Sequence, residues 1–84
     1  MYEILFSPSA KRDYKKIPQN ELERINQVIN NLSETLRPVG YKKLSGRDAY
    51  RVRVGNFRII YEIHNKELII MVIRIRDRKE VYKK

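Results

Sequence analysis

Two periods of hydrophobic and polar positions divide this chain. At its start, Tyr2, Ile4 and Phe6 alternate with Glu3 and Leu5, the two-residue period of a strand. Ser7-Pro8 fits a helix N-cap followed by proline at the first helical position. It predicts a short helix running to about Ile17. Ala10, Tyr14 and Ile17 form its inner face, Lys11, Arg12, Lys15 and Lys16 occupy the rest, and Pro18 breaks it. Leu22, Ile25, Val28, Ile29, Leu32 and Leu36 then recur at steps of three and four, the single stripe of an amphipathic helix. Asn20 with Glu23 matches a capping box, with Pro18 as the alternative start. Pro38 and Gly40 end this second helix.

After a polar loop from Tyr41 to Asp48 the period returns to two. Tyr50–Val54 and Phe57–His64 read as strands joined at Gly55-Asn56, and Asn65-Lys66 turns the chain into a third strand, Glu67–Arg76. The run Leu68–Ile73 is continuously apolar, as in a central strand buried on both faces. The predicted order is β-α-α-β-β-β. This is an α+β fold, with two N-terminal helices on one face of a small, mostly antiparallel sheet and a short polar tail. Residues 1–84 make one domain. The apolar stripe of the second helix needs a hydrophobic sheet face, which Tyr50, Val52, Val54, Phe57, Ile59, Tyr61 and Ile63 supply.

The alternation also carries chemistry. Arg51 and Arg53 stand between core positions and therefore share the other face. With Gly55-Asn56 as a two-residue hairpin loop, Arg53 pairs across from Arg58 on that face. Like charges held opposite each other cost stability, so the pairing points to an anion, and guanidinium geometry points to phosphate. Strict alternation from Asn65-Lys66 puts Arg76 on the face opposite Arg58. A bulge, or a strand ending near Arg74, is needed to bring the two together.

The formal net charge is +9, and it is uneven. Residues 1–40 hold 6 basic and 5 acidic side chains, whereas residues 41–84 hold 13 and 5. Charge concentrated on the strands, one loop and the tail fits a surface for a polyanion better than a general solubility charge. The blander reading is a solvated basic face. There is no cysteine, which removes disulfides, thiol catalysis and cysteine-ligated zinc and fits a reducing cytoplasm. The first residues lack the pattern of a signal peptide, and the longest apolar run is too short for a membrane span.

Other chemistry is thinly supported. The lone histidine, His64, beside the Asn65-Lys66 turn, reads as a surface hairpin residue. Glu62 and Glu67 flank the same turn and pair with Lys66 or solvent. No metal-ligand spacing, cofactor motif or glycine-rich phosphate loop is present. What remains is an arginine and tyrosine set: Arg51, Arg53, Arg58, Arg74, Arg76, Arg78 and Tyr82. Such cations suit RNA cleavage by the strand's own 2′-hydroxyl, where charge develops on the phosphate, and they suit plain phosphate gripping equally. Tyr50 and Tyr61 belong to the core.

Three runs in this order resemble the RelE toxins of the RelE/ParE superfamily: Lys42-Lys43-Leu44-Ser45-Gly46, Tyr50 through Tyr61, and Arg76-Asp77-Arg78-Lys79-Glu80-Val81-Tyr82. Phe6-Ser7-Pro8-Ser9-Ala10 resembles the family's first strand-to-helix junction. The resemblance implies a cytoplasmic toxin paired with an acidic antitoxin in a hetero-oligomer. It also implies metal-free, cofactor-free cleavage of mRNA on the ribosome. Carried over, Arg51, Arg53, Arg58, Arg76 and Tyr82 are the catalytic set. Arg53, Arg58 and Arg76 hold the scissile and neighbouring phosphates, and Tyr82 stacks on a base or takes part in proton transfer. Lys42, Lys43, Arg47, Arg74 and Arg78 grip messenger or ribosomal backbone. Relatives often carry lysines at the positions of Arg51 and Arg53, and histidine at that of Asp77; these departures leave the general base and acid open. The same superfamily offers a ParE-like inhibitor of DNA gyrase, and a catalytically weak RNA- or antitoxin-binding member, as alternatives.

Overall fold

Ser7 ends the first strand and begins the first helix. The structure, a computed structural model, describes residues 1–44 and 48–77. Strand β1 (Glu3–Phe6) leads into α1 (Pro8–Lys15), α2 (Gln19–Asn31), β2 (Lys42–Lys43), β3 (Ala49–Val54), β4 (Phe57–His64) and β5 (Ile69–Asp77). The two-residue β2 lies in what the sequence shows as loop, because Lys42 and Lys43 pair with Arg51 and Tyr50 of β3. The sheet order is β1-β5-β4-β3-β2, antiparallel except for the parallel pair β1 and β5. The expected α+β arrangement holds, with this short extra edge strand added.

The Ser7 hydroxyl caps α1 by accepting from the Ala10 N–H at 3.0 Å, with Pro8 in the first turn. The Asn20 and Glu23 capping box does not form. Pro18 is the N-cap of α2, and its carbonyl accepts from the Glu21 and Leu22 N–H groups. The fixed φ of proline starts this helix without a side-chain cap. Helix α2 ends earlier than its apolar stripe. Leu32 closes it, and Leu36 packs on the core from the turns beyond. Those turns are anchored by Tyr61, whose hydroxyl donates to the Leu36 carbonyl at 2.8 Å. Arg37 lies over the Tyr50 ring, 5.1 Å from its centroid, and donates to its hydroxyl at 3.1 Å.

Ile25, Ile29 and Leu32 meet Val52, Val54, Phe57, Ile59, Tyr61, Ile63, Ile70, Val72 and Ile75 in one core between the helices and the sheet. Burial alternates strictly along β4, from Phe57 to Ile63. Strand β5 is paired on both sides, yet Ile69, Met71 and Ile73 on its outer face are only half-buried. Its continuous apolar run therefore reflects a strand inside the sheet, not one covered on both faces. The β4–β5 turn is longer than Asn65-Lys66, since His64 pairs with Ile69 and Leu68 takes φ 58°.

Candidate functional site

Gly55 adopts φ +59°, the left-handed conformation that a two-residue hairpin loop requires. With that turn, Val54 pairs with Phe57 and Arg53 with Arg58. Strands β4 and β5 then shift register. Tyr61 pairs with Val72 but Ile60 pairs with Arg74, leaving Ile73 without a partner across the ladder. Of the two alternatives the sequence leaves, a bulge or a strand ending near Arg74, this is the bulge. The extra residue inverts the alternation of β5 beyond it, and Arg76 comes to lie opposite Arg58.

Arg53, Arg58 and Arg76 therefore form one cross-strand row on the sheet face away from the helices. Neighbouring strands are about 4.8 Å apart, so the row spans roughly 10 Å. The next row holds Lys42, Arg51, Ile60 and Arg74. Arg53 is exposed, and Arg51, Arg58 and Arg76 are half-buried. The Nε atoms of Arg58 and Arg76 are buried and have no hydrogen-bond partner among the described residues. Two cross-strand neighbours thus each carry a cationic donor without an acceptor among the described residues. An unpaired buried donor costs stability, and the part-exposed side chains of both arginines leave them within reach of a multidentate anion such as phosphate.

Arg74 is arranged differently. Its Nε and one terminal nitrogen donate to the two carboxylate oxygens of Asp13 on α1, at 2.8 and 3.2 Å, and the Ile75 N–H donates to the same carboxylate at 2.9 Å. Burial pushes the Asp13 carboxyl up. The hydrogen bonds from Arg74 and Ile75, with the charges of Arg74 and Arg76, outweigh this and hold it below the ordinary aspartate range. Asp13 was not singled out from the sequence. The signal was one acid within the basic run Lys11-Arg12-Asp13-Tyr14-Lys15-Lys16.

The remaining candidates scatter. Lys42 shares the arginine face through its pairing with Arg51, while Lys43 stands opposite Tyr50; both are exposed. Arg47, Arg78 and Tyr82 lie outside the described residues. His64 sits at the exposed end of β4 with its Nε2 2.9 Å from Glu62 Oε1, several residues along the strand from Arg58. Tyr50 and Tyr61 are core residues with stacked rings. Burial pushes the Tyr61 phenol up to about 12, against the pull of Arg37. Among the described residues no three His, Asp or Glu side chains converge to hold a metal, and no helix is long and apolar enough to cross a membrane.

A small α+β domain with an arginine row across three strands is thereby defined, and comparison with known proteins gives its family. The family described as "ParE toxin of type II toxin–antitoxin system, parDE" matches residues 4–82. Toxin RelE3 of Methanocaldococcus jannaschii is 32% identical over 84 residues, covering 94% of this chain and 93% of that protein. A solved archaeal RelE–RelB complex from Pyrococcus horikoshii superposes with a TM-score of 0.81 at 23% identity, over 92% of this chain and 94% of that one. A RelB–RelE antitoxin–toxin complex from Methanococcus jannaschii gives 0.75 at 29% identity, over 93% and 94%. The chain belongs to the ParE toxin family within the RelE/ParE superfamily, and it is a toxin of a type II toxin–antitoxin system.

Proposed function

We propose that this toxin is a ribosome-dependent endoribonuclease that cleaves mRNA without a metal. The supporting observation is the Arg58–Arg76 pair, two arginines directly opposite each other on neighbouring strands whose buried Nε donors lack an acceptor among the described residues. In the proposed reaction the 2′-hydroxyl loses its proton and its oxygen attacks the adjacent phosphorus. The bond to the 5′-oxygen breaks and that oxygen takes up a proton, leaving a 2′,3′-cyclic phosphate and a 5′-hydroxyl. Arg53, Arg58 and Arg76 hold the phosphate and neutralise the charge that builds on it. Arg51 adds charge one row away. Arginine is a poor proton-transfer group, so the proton steps fall to Tyr82, the ribosome or the substrate. Lys42, Lys43, Arg47 and Arg78 grip RNA backbone.

Free, such a face would harm its own cell. The relatives solved as toxin–antitoxin complexes support an antitoxin partner for this chain and a hetero-oligomer with it. An apolar groove of about 740 Å³ runs beside β1, lined by Ile4, Phe6, Ile29 and Met71, with Lys11 and Lys15 also on its wall. Its character suits an acidic, amphipathic antitoxin segment.

Mapping mRNA 5′ ends after brief induction tests the reading. Cuts within codons of translated messages are expected. Intact messages with double-strand DNA breaks would replace it with gyrase inhibition, the second reading, which the ParE description of the matching family favours. Absence of any toxicity would indicate a catalytically weak binding member.

A further inference from the structure

The bulge that brings Arg76 to Arg58 is held from outside the sheet. Strand β1 stops at Phe6, so β5 loses its neighbour on that edge just where its register shifts. Two successive carbonyls of β5 turn toward Ser7 there. The Ser7 N–H donates to Val72 at 2.9 Å, and the Ser7 hydroxyl donates to Ile73 at 2.7 Å. Further along the same edge, Asp13 accepts the Ile75 N–H at 2.9 Å while holding Arg74 with two hydrogen bonds. Asp13 is nearly buried, with 13% of its side chain exposed, against 37% for Arg74. Helix α1 therefore supplies side-chain partners where a neighbouring strand would supply backbone. Without them, the bulge leaves a carbonyl and an N–H unpaired at the point that sets the facing of Arg76.

We infer that Ser7, Asp13 and Arg74 are positioning residues that clamp the β5 bulge and thereby align Arg76 with Arg58. Arg74 acts within the protein in this arrangement, not as a direct RNA contact. The inference rests on the proposed phosphate-holding role of the arginine row. It adds a division of labour among the β5 arginines, with Arg74 fixing the strand and Arg76 meeting the anion.

The test uses the full chain with Asp13→Ala, Asp13→Asn, Arg74→Ala and Arg76→Ala, singly and in pairs. Cleavage of ribosome-bound mRNA is read as kcat and KM at several salt concentrations. A displacement of about 1 Å at a reacting centre costs on the order of 100-fold, so Asp13→Ala is expected to lower kcat by about 10- to 100-fold with KM little changed. Asp13→Asn, which keeps an acceptor for Ile75, recovers part of that loss. Arg74→Ala adds nothing to Asp13→Ala, and neither adds to Arg76→Ala. A direct RNA contact at Arg74 would instead raise KM, flatten its salt dependence and multiply with Asp13→Ala; that result overturns the inference. A second readout needs no cleavage. Inorganic phosphate is titrated while the Arg76 Nε–H signal and the exchange of the Ile75 amide are followed by NMR. Weaker phosphate binding and faster Ile75 exchange are expected in Asp13→Ala. Unchanged binding at Arg76 overturns the clamp, whether or not the wild-type chain cuts RNA. A wild type that binds phosphate at Arg76 in a clamp-dependent way but leaves mRNA intact overturns only the nuclease reading.

Discussion

Arg58 of β4 and Arg76 of β5 stand directly opposite each other, each with a buried Nε that no described residue accepts from. Arg53 extends the row on the other side of Arg58. A fold selected for stability alone would not keep this arrangement. Like charges directly opposite on a sheet oppose folding, and buried donors left unpaired add to that cost.

Removing one member should therefore stabilise the protein while disabling it. Arg58→Gln is expected to raise Tm by a few degrees, since relief of about 0.2–1 kcal/mol per like-charged pair translates to about 4–8 °C per kcal/mol in a domain of this size. The same variant should lose about 10²–10³-fold in cleavage. Calorimetry and cleavage assays on one preparation check both. A fall in Tm together with retained cleavage would remove the row from the site.

Gly55 fixes the pairing of Arg53 with Arg58 through its positive φ. A side chain there pays about 1–2 kcal/mol for the left-handed conformation. A Cβ would also come within 2.9 Å of an Arg24 guanidinium nitrogen and 3.2 Å of Glu21 Oε1. Those are ends of flexible side chains, so the backbone term dominates. Gly55→Ala should lower the unfolding free energy in urea by about 1–2 kcal/mol, and Gly55→Asn by less, because asparagine tolerates positive φ.

Asp13 makes stability depend on acid. Its carboxyl is held below the ordinary aspartate value of 3.8 in the folded chain. A depressed folded-state value contributes stability that is present above the unfolded value and is lost as pH falls through the folded one. The charged neighbours that maintain it are Arg74 and Arg76, and Lys16 and Asp77 line the same small pocket. The stability difference between wild type and Asp13→Asn should be full at neutral pH and shrink as pH falls below 3.8. Urea titrations across acidic pH measure it, and a constant difference would contradict this account.

Tyr61 works at the other end of the scale. Its phenol is pushed up to about 12 and donates to the Leu36 carbonyl at 2.8 Å. A raised folded-state value contributes stability below the unfolded value and loses it as pH rises, here between 10.0 and about 12. Tyr61→Phe should cost about 1–2 kcal/mol by leaving that carbonyl without its donor. It should also remove a step near pH 12 from the tyrosine absorbance titration.

Much of this arrangement is legible in the chain itself. Period two on Tyr50–Val54 and Phe57–His64 assigns Arg51, Arg53 and Arg58 to one face, and Gly55-Asn56 sets their register, because both are local properties of backbone and turn. The need for an irregularity, a bulge or a strand ending near Arg74, follows as well, since parity alone turns Arg76 away from Arg58. The place of the bulge does not follow. It falls at Ile73 because β1 ends at Phe6 and α1 brings Ser7 and Asp13 to that edge, contacts between residues more than sixty positions apart that no local pattern encodes. The same holds for Arg74. Both arginines follow an isoleucine in one strand, and only the approach of Asp13 distinguishes the surroundings of Arg74 from those of Arg76. The short β2 is also an outcome of packing, decided where backbone groups found partners in the assembled fold. The sequence by itself determined which residues are cationic, which face Arg51, Arg53 and Arg58 take, and that strict alternation in the last strand turns Arg76 away from them. The tertiary structure decided where the extra residue of β5 is absorbed, because a bulge settles where neighbouring elements can satisfy the backbone groups it releases.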